Sequence, residues 1–361
     1  FMLSPTVLKT HTLYPVHTYG SAMAPLFTSL ALWVGAFMLM VLIKLEVDDE
    51  GLAGRHVTMN QTYMARWLLL AMIAGLQGLV CSIGDLVIGV QTVNAPLFVF
   101  TAWFTSLVYV SIAYALSATF MHVGKALVVA MVMLQIPGAS GLYPIEMMPH
   151  FYRALYPLFP FTYSIDAFRE TIGGFYDGHW VKVMLMLLLF VAISFLLRMF
   201  VLQPYEIPSG SMEETIMTGD MGFSEKVTYY FNAPEPGDIV TFQDPEIPSR
   251  ILIKRVIAVG GQTVDLRDGR VYVDDVLQDE PYTRGEPSYA LTPMAGIEIN
   301  YPYTVPEGRL WVMGDNRTNS ADSRYHLNDV GTDGTGTVPM ENITGVSKLI
   351  YWPFSHWSVT R

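Results

Sequence analysis

The chain has 361 residues, 52% of them hydrophobic and 15% charged, with a mean hydropathy of +0.35 and a formal net charge of −11. That is too apolar for one soluble globule and points to a membrane segment joined to a soluble part. Residues 1–200 carry nine basic and nine acidic side chains against 12 and 23 in residues 201–361; the whole acidic excess lies in the second part, which argues against nucleic-acid binding.

In chain order, the first residue is Phe1 rather than Met, as expected of a fragment. Apolar runs long enough to span a bilayer lie at about Pro25–Ile43, Trp67–Val90, Pro96–Phe120, Lys125–Leu142 and Val181–Leu197. The last contains nearly uninterrupted hydrocarbon; the fourth is the weakest, because Gly and Pro cluster at its end. Asp85 is the one acid within a span, near its end, where it is expected to reach the interface. Tyr143–Trp180 is rich in Pro, Tyr and Phe, a composition that favours the membrane–water boundary. Cys81 is the only cysteine, so there is no disulfide framework, and no Cys/His set has zinc spacing.

After Val201 the pattern changes to short β-rich runs between turn signals: Asp238–Phe242, Ile251–Val259, Thr263–Leu266, Arg270–Val273, Arg309–Met313 and Val346–Tyr351. Asp268-Gly269 between two alternating runs predicts a hairpin. The fold class expected is therefore multi-domain: α-helical transmembrane segments followed by a mainly-β domain. The boundaries are a polytopic membrane region at 1–180, a transmembrane anchor at 181–202 and a mainly-β domain at 203–361.

Two segments of the second part carry chemistry. Ile207-Pro208-Ser209-Gly210-Ser211-Met212 offers a serine on a tight turn, and Lys254 sits inside the apolar run Ile251–Val259. Desolvation disfavours an ammonium there and pushes the side chain toward the neutral amine, which can take a proton from a serine hydroxyl. A third segment, Gly314 to Arg324, completes the pattern. No histidine occurs between residues 180 and 325, which leaves Lys254 without a rival base there, although His326 follows soon after.

Taken together, these segments resemble the bacterial type I signal peptidases, membrane-anchored Ser-Lys proteases, over about residues 183–361. The resemblance implies Ser211 as nucleophile and Lys254 as general base. It further implies an oxyanion hole from the Ser211 N–H and the Ser209 hydroxyl, and Ser320 as the serine that fixes the lysine's direction. Asp322 and Arg324 correspond to a structural ion pair, and Asp315, Asn316 and Arg317 to residues that hold the turn. No metal or organic cofactor is implied. The partners implied are the lipid bilayer and secretory preproteins with A-x-A-like signal-peptide ends. Two departures stand out: Glu214, where the family often has Pro, and an apparent insertion at Tyr325–Val338, expected to be a surface loop.

The first part resembles the Pip-like membrane family, related to ABC-2 type permeases, over about residues 15–180. That resemblance rests on Tyr19-Gly20-Ser21-Ala22-Met23-Ala24-Pro25, Tyr143-Pro144-Ile145-Glu146-Met147-Met148-Pro149 and Leu158-Phe159-Pro160-Phe161-Thr162-Tyr163. The expected location is the cytoplasmic membrane, multi-pass, with the catalytic domain on the extracytoplasmic face. The two resemblances conflict in topology: Pip-like proteins end their last span inside, and the distribution of Lys and Arg around five spans faintly favours a cytoplasmic carboxy terminus. The rival reading is a transport-type protein whose peptidase-like domain is inactive or regulatory; a cytosolic self-cleaving repressor-type protein fits the adjacent span poorly.

Overall fold

In the computed structural model, the described residues are 14–45, 59–243, 251–291, 300–325 and 336–360. They divide between two compact units, one built chiefly from Tyr63–Phe195 with the helix before it, the other from Leu196–Arg361.

The first unit is helical. Helix α1 (Tyr19–Leu42) starts on Thr18, whose side chain accepts from the Ser21 N–H, so one orphan donor of the first turn is satisfied. Helix α2 (Met59–Val87) follows, and α3 (Ala95–Gly138) starts on Asn94, which caps Leu97 N, with Pro96 in its first turn. Short α4 (His150–Leu155) and α5 (Pro160–Gly173) lead to α6 (His179–Leu196), which continues as a π-helical turn, Leu197–Val201. Four of these helices, α1, α2, α3 and α6, are long and apolar enough to cross a membrane.

Helix α3 spans the third and fourth expected runs, but it is not one rod. Met121 has φ 50° and ψ −121°, outside helical geometry. Trp33 of α1 packs edge-on against Tyr109 at 5.0 Å and donates its indole N–H to the Val128 carbonyl at 3.1 Å. In a straight helix those two residues would stand roughly 28 Å apart. The chain therefore doubles back at Met121, giving two arms. Gly124 permits this: a Cβ there would lie 2.0 Å from the Leu116 carbonyl oxygen. The five apolar runs read from the sequence thus correspond to five helical arms.

Several polar groups in this core pair across helices, while Gln135 Nε2 and the Thr105 and Ser117 hydroxyls are buried without a hydrogen-bond partner among the described residues. Gln135 accepts from the Phe161 N–H at 3.1 Å, one of the orphan donors at the start of α5, and Ser164 joins Ser29 and Tyr109. Asp85 accepts from the Thr28 hydroxyl at 2.7 Å, so it is bound across helices rather than simply facing the interface.

The second unit is all-antiparallel β. Its strands are β1 (Leu202–Glu206), β2 (Met221–Glu225), β3 (Ile239–Gln243), β4 (Ile251–Val259), β5 (Thr263–Arg267), β6 (Arg270–Val273) and β7 (Val276–Leu277), then β8 (Tyr303–Thr304), β9 (Arg309–Met313), β10 (Val338–Pro339), β11 (Ile343–Trp352) and β12 (Ser358–Val359). The larger sheet runs β1-β2-β11-β3-β4-β9-β10, with β12 on β11; the smaller runs β7-β6-β5-β8. Pro204 is tolerated because β1 is an edge strand. The β5–β6 hairpin turns on Asp268 and Gly269, both at positive φ, as a two-residue turn of this chirality requires.

Strand β4 supplies three small cores. Ile253 joins Ile207, Met212, Ile216 and Ile239; Val256 joins Val240, Phe242 and Val312; Ile257 and Ala258 join Trp311 of β9 and Val264 of the smaller sheet. His326 and residues 326–335 of the apparent insertion lie outside the described residues.

Candidate active site

Ser211 sits in a one-turn 3-10 helix, Gly210–Met212, just ahead of two buried anchors. Met212 and Ile216 are completely buried, so the turn is pinned to the core under the serine rather than free on the surface. Lys254 comes from the middle of β4, paired with Val240 of β3. Its Nζ lies 2.6 Å from Ser211 Oγ and donates to the Ile253 carbonyl at 3.1 Å. Both side chains are buried, each about 5% exposed, so water competes little for either.

Hydrogen-bond donors are left over beside this pair. Among the described residues the Ser211 N–H makes no hydrogen bond, and the exposed Ser209 hydroxyl makes none. The Ser211 carbonyl is engaged instead, accepting from the Asn316 N–H at 3.2 Å, while Asn316 Nδ2 donates to the Gly210 carbonyl at 2.9 Å. Asn316 thereby clamps the peptide on which the serine stands.

The loop from Gly314 to Arg324 is held by buried ion pairs. Asp315 accepts from Arg255 Nε at 2.8 Å and Nη2 at 2.7 Å, and from the Thr215 hydroxyl at 2.6 Å. Arg255 follows Lys254 on β4; adjacent strand residues face opposite sides, so β4 sends the lysine to the serine and the arginine to the loop. Arg324 pairs with Asp322 through two bonds of 2.9 Å and donates to the Arg317 carbonyl at 2.8 Å. Burial works to raise the Asp322 carboxyl, but the Arg324 guanidinium and the Gly314 N–H outweigh it and hold it below the ordinary carboxylate value. Arg317 donates to the Gly314 carbonyl at 2.9 Å and makes a forked pair with Glu280 at 2.9 and 2.6 Å.

Ser320 lies next to this assembly. A Cβ on Gly314 would meet Ser320 Oγ at 2.2 Å and the Ser211 carbonyl oxygen at 2.4 Å, so only glycine fits between them. The Ser320 hydroxyl is buried and makes no bond to the lysine; it lies beside Asp322, where it helps to hold that carboxyl low. Glu214, the departure noted beside the serine, has φ 78°, which proline's ring forbids, and it pairs with the exposed Arg284.

Every expected site residue therefore lies in one neighbourhood. The residues that sequence reasoning missed are Thr215, Glu280, Tyr282 and the pairing of Arg255. A buried arginine needs an anion, but Glu280 precedes Arg317 by 37 positions, and no local spacing announces it.

Residues 178–352 match a family model described as signal peptidase, peptidase S26, and residues 6–200 match one described as ABC-2 family transporter protein. The chain is similar to a probable signal peptidase I of Mycobacterium leprae, 37% identical over 215 residues covering 46% of this chain and 74% of that protein. A signal peptidase I of Mycobacterium tuberculosis is 39% identical over 214 residues, covering 47% and 72%. Thylakoidal processing peptidase 1 of Arabidopsis thaliana is 37% identical over 180 residues, covering 47% and 48%. A crystal structure of a signal peptidase I from Enterococcus faecalis is 31% identical, covers 32% of this chain and 97% of its own, and has a TM-score of 0.25.

Proposed function

This chain belongs to the signal peptidases through its second half, as a hydrolase of the signal peptidase I kind, and to the ABC-2 family transporter proteins through its first; from that premise we propose how it works. It removes signal peptides from secretory preproteins by acyl transfer on Ser211, with Lys254 as base. The contact of 2.6 Å between a buried lysine and a buried serine carries this reading. Burial disfavours the ammonium, so the neutral amine takes the Ser211 proton as the oxygen attacks the scissile carbonyl. The developing oxyanion accepts from the Ser211 N–H and the Ser209 hydroxyl, the two donors left without partners. The proton passes from Lys254 to the leaving amine, and the lysine then activates the water that hydrolyses the acyl-enzyme. Ser320, whose hydroxyl lies beside Asp322, is assigned to steering the lysine when substrate enters. Asp322, Arg324, Asp315, Asn316 and Arg317 keep the loop in shape.

The domains are assigned as membrane region 1–180, anchor 181–202 and catalytic domain 203–361, with the catalytic domain on the extracytoplasmic face. Purified full-length chain in liposomes should cleave a preprotein after an A-x-A-like end. Ser211→Ala and Lys254→Ala should each lower kcat by roughly 10²-fold or more. Absence of cleavage by folded parent protein would overturn the reading, and would favour a transport-type protein with a regulatory peptidase-like domain, as the ABC-2 match allows.

A further inference from the structure

The segment from Glu280 to Ser288 touches the catalytic loops with every second side chain. Glu280 takes the Arg317 fork, and Ser288 accepts a further bond from the same guanidinium. Arg284 pairs with Glu214, three residues beyond the nucleophile. Glu286 accepts from the Thr318 N–H at 3.3 Å. At the centre, the Tyr282 ring lies under the Arg255 guanidinium, 3.9 Å from ring centroid to charge centre, with Arg317 5.8 Å from the same ring. The Tyr282 hydroxyl donates to Glu280 at 3.0 Å.

These contacts converge on the parts that place the two reacting groups. Arg255 is the neighbour of Lys254 on β4 and also holds Asp315; Asn316, next in sequence, clamps the carbonyls of Gly210 and Ser211. A ring stacked on Arg255 thus fixes a residue that ties the strand of the base to the turn of the nucleophile. We propose that residues 280–288 form a strap that sets the alignment of Ser211 with Lys254, with the ring of Tyr282 as its positioning residue. The proposal rests on the assignment of Ser211 and Lys254 as the reacting pair. The ring face attracts a guanidinium, and it does so most when water is excluded, so the aromatic face matters rather than the hydroxyl.

The test compares parent, Tyr282→Leu, Tyr282→Phe and Ser211→Ala as full chains in detergent. Preprotein cleavage gives kcat and KM, and amide hydrogen exchange is followed over residues 210–216 and 314–320. Tyr282→Leu should lower kcat roughly tenfold with KM held within about twofold, while Tyr282→Phe stays near the parent. Exchange in the two loops should quicken in Tyr282→Leu alone. An unchanged kcat in folded Tyr282→Leu, or a Phe variant as impaired as the Leu variant, overturns the strap; so does a lower kcat with unaltered exchange. If parent and Ser211→Ala cleave equally little, the proteolytic reading fails instead. Exchange then decides the strap by itself: quickened loops in Tyr282→Leu sustain it and unchanged loops sink it.

Discussion

At the scale of single residues, the proposed mechanism divides the site into groups that react and groups that hold. The sequence singled out Ser211 and Lys254 only together, through the resemblance of their flanking segments to the signal peptidases, since either alone reads as an ordinary turn serine or a snorkelling lysine. Glu280 and Tyr282 were not singled out, because they act across distances that only the fold closes. The Asp322–Arg324 pair illustrates the energetics of holding. Both side chains are at most 1% exposed, so removing one partner strands a buried charge. Asp322→Asn should cost about 3–5 kcal/mol, read from the unfolding midpoint of the full chain. Its pH signature has a definite sign. The folded-state carboxyl lies below its unfolded value, so its stabilisation is complete above about pH 4 and is lost as pH falls through the folded value. Acid unfolding of the parent should therefore steepen below about pH 4, and the Asn variant should lack that component.

At the scale of elements, the β runs were read well wherever alternation was clean. The structure places strands at Ile251–Val259, Arg270–Val273 and Arg309–Met313, as the sequence alone predicts. Strands β1 and β2 escaped. The first follows directly on the apolar α6, so its short alternation is submerged in a longer hydrophobic run, and it carries Pro204. The second, Met221–Glu225, holds Gly222 and is flanked by turn residues that dilute its pattern. In the helical unit, the run ending at Phe120 and the run starting at Lys125 were separable by composition, but their continuous helical backbone with one reversal was not. That reversal depends on Gly124, where any side chain would collide with the backbone of the preceding arm. Gly124→Leu should abolish the monodisperse folded protein in detergent. Gln135→Leu, which strands the buried Phe161 N–H, should cost a milder 1–3 kcal/mol in thermal unfolding.

At the scale of the whole molecule, the proposed outward catalytic domain requires that each of the five helical arms cross, an odd number that puts the two ends of the helical unit on opposite sides of a bilayer. With Cys81→Ser as background, His17→Cys and Tyr230→Cys should label from opposite faces of sealed vesicles, position 230 from outside. Labelling of both from one face would mean that an arm of α3 fails to cross. The placement of the reacting pair has a further consequence, in time rather than space. Ser211 leaves the ribosome well before Lys254, and the loop that clamps its turn follows about a hundred residues later. At about 5–20 residues per second, roughly ten seconds of synthesis separate the serine from Arg324. During that interval the nascent chain bears an unactivated hydroxyl close behind its own apolar α6, itself the kind of segment a signal-peptide-cutting enzyme would encounter. Dividing the pair between a turn and a distant strand means that Ser211 meets Lys254 only once the sheet has formed.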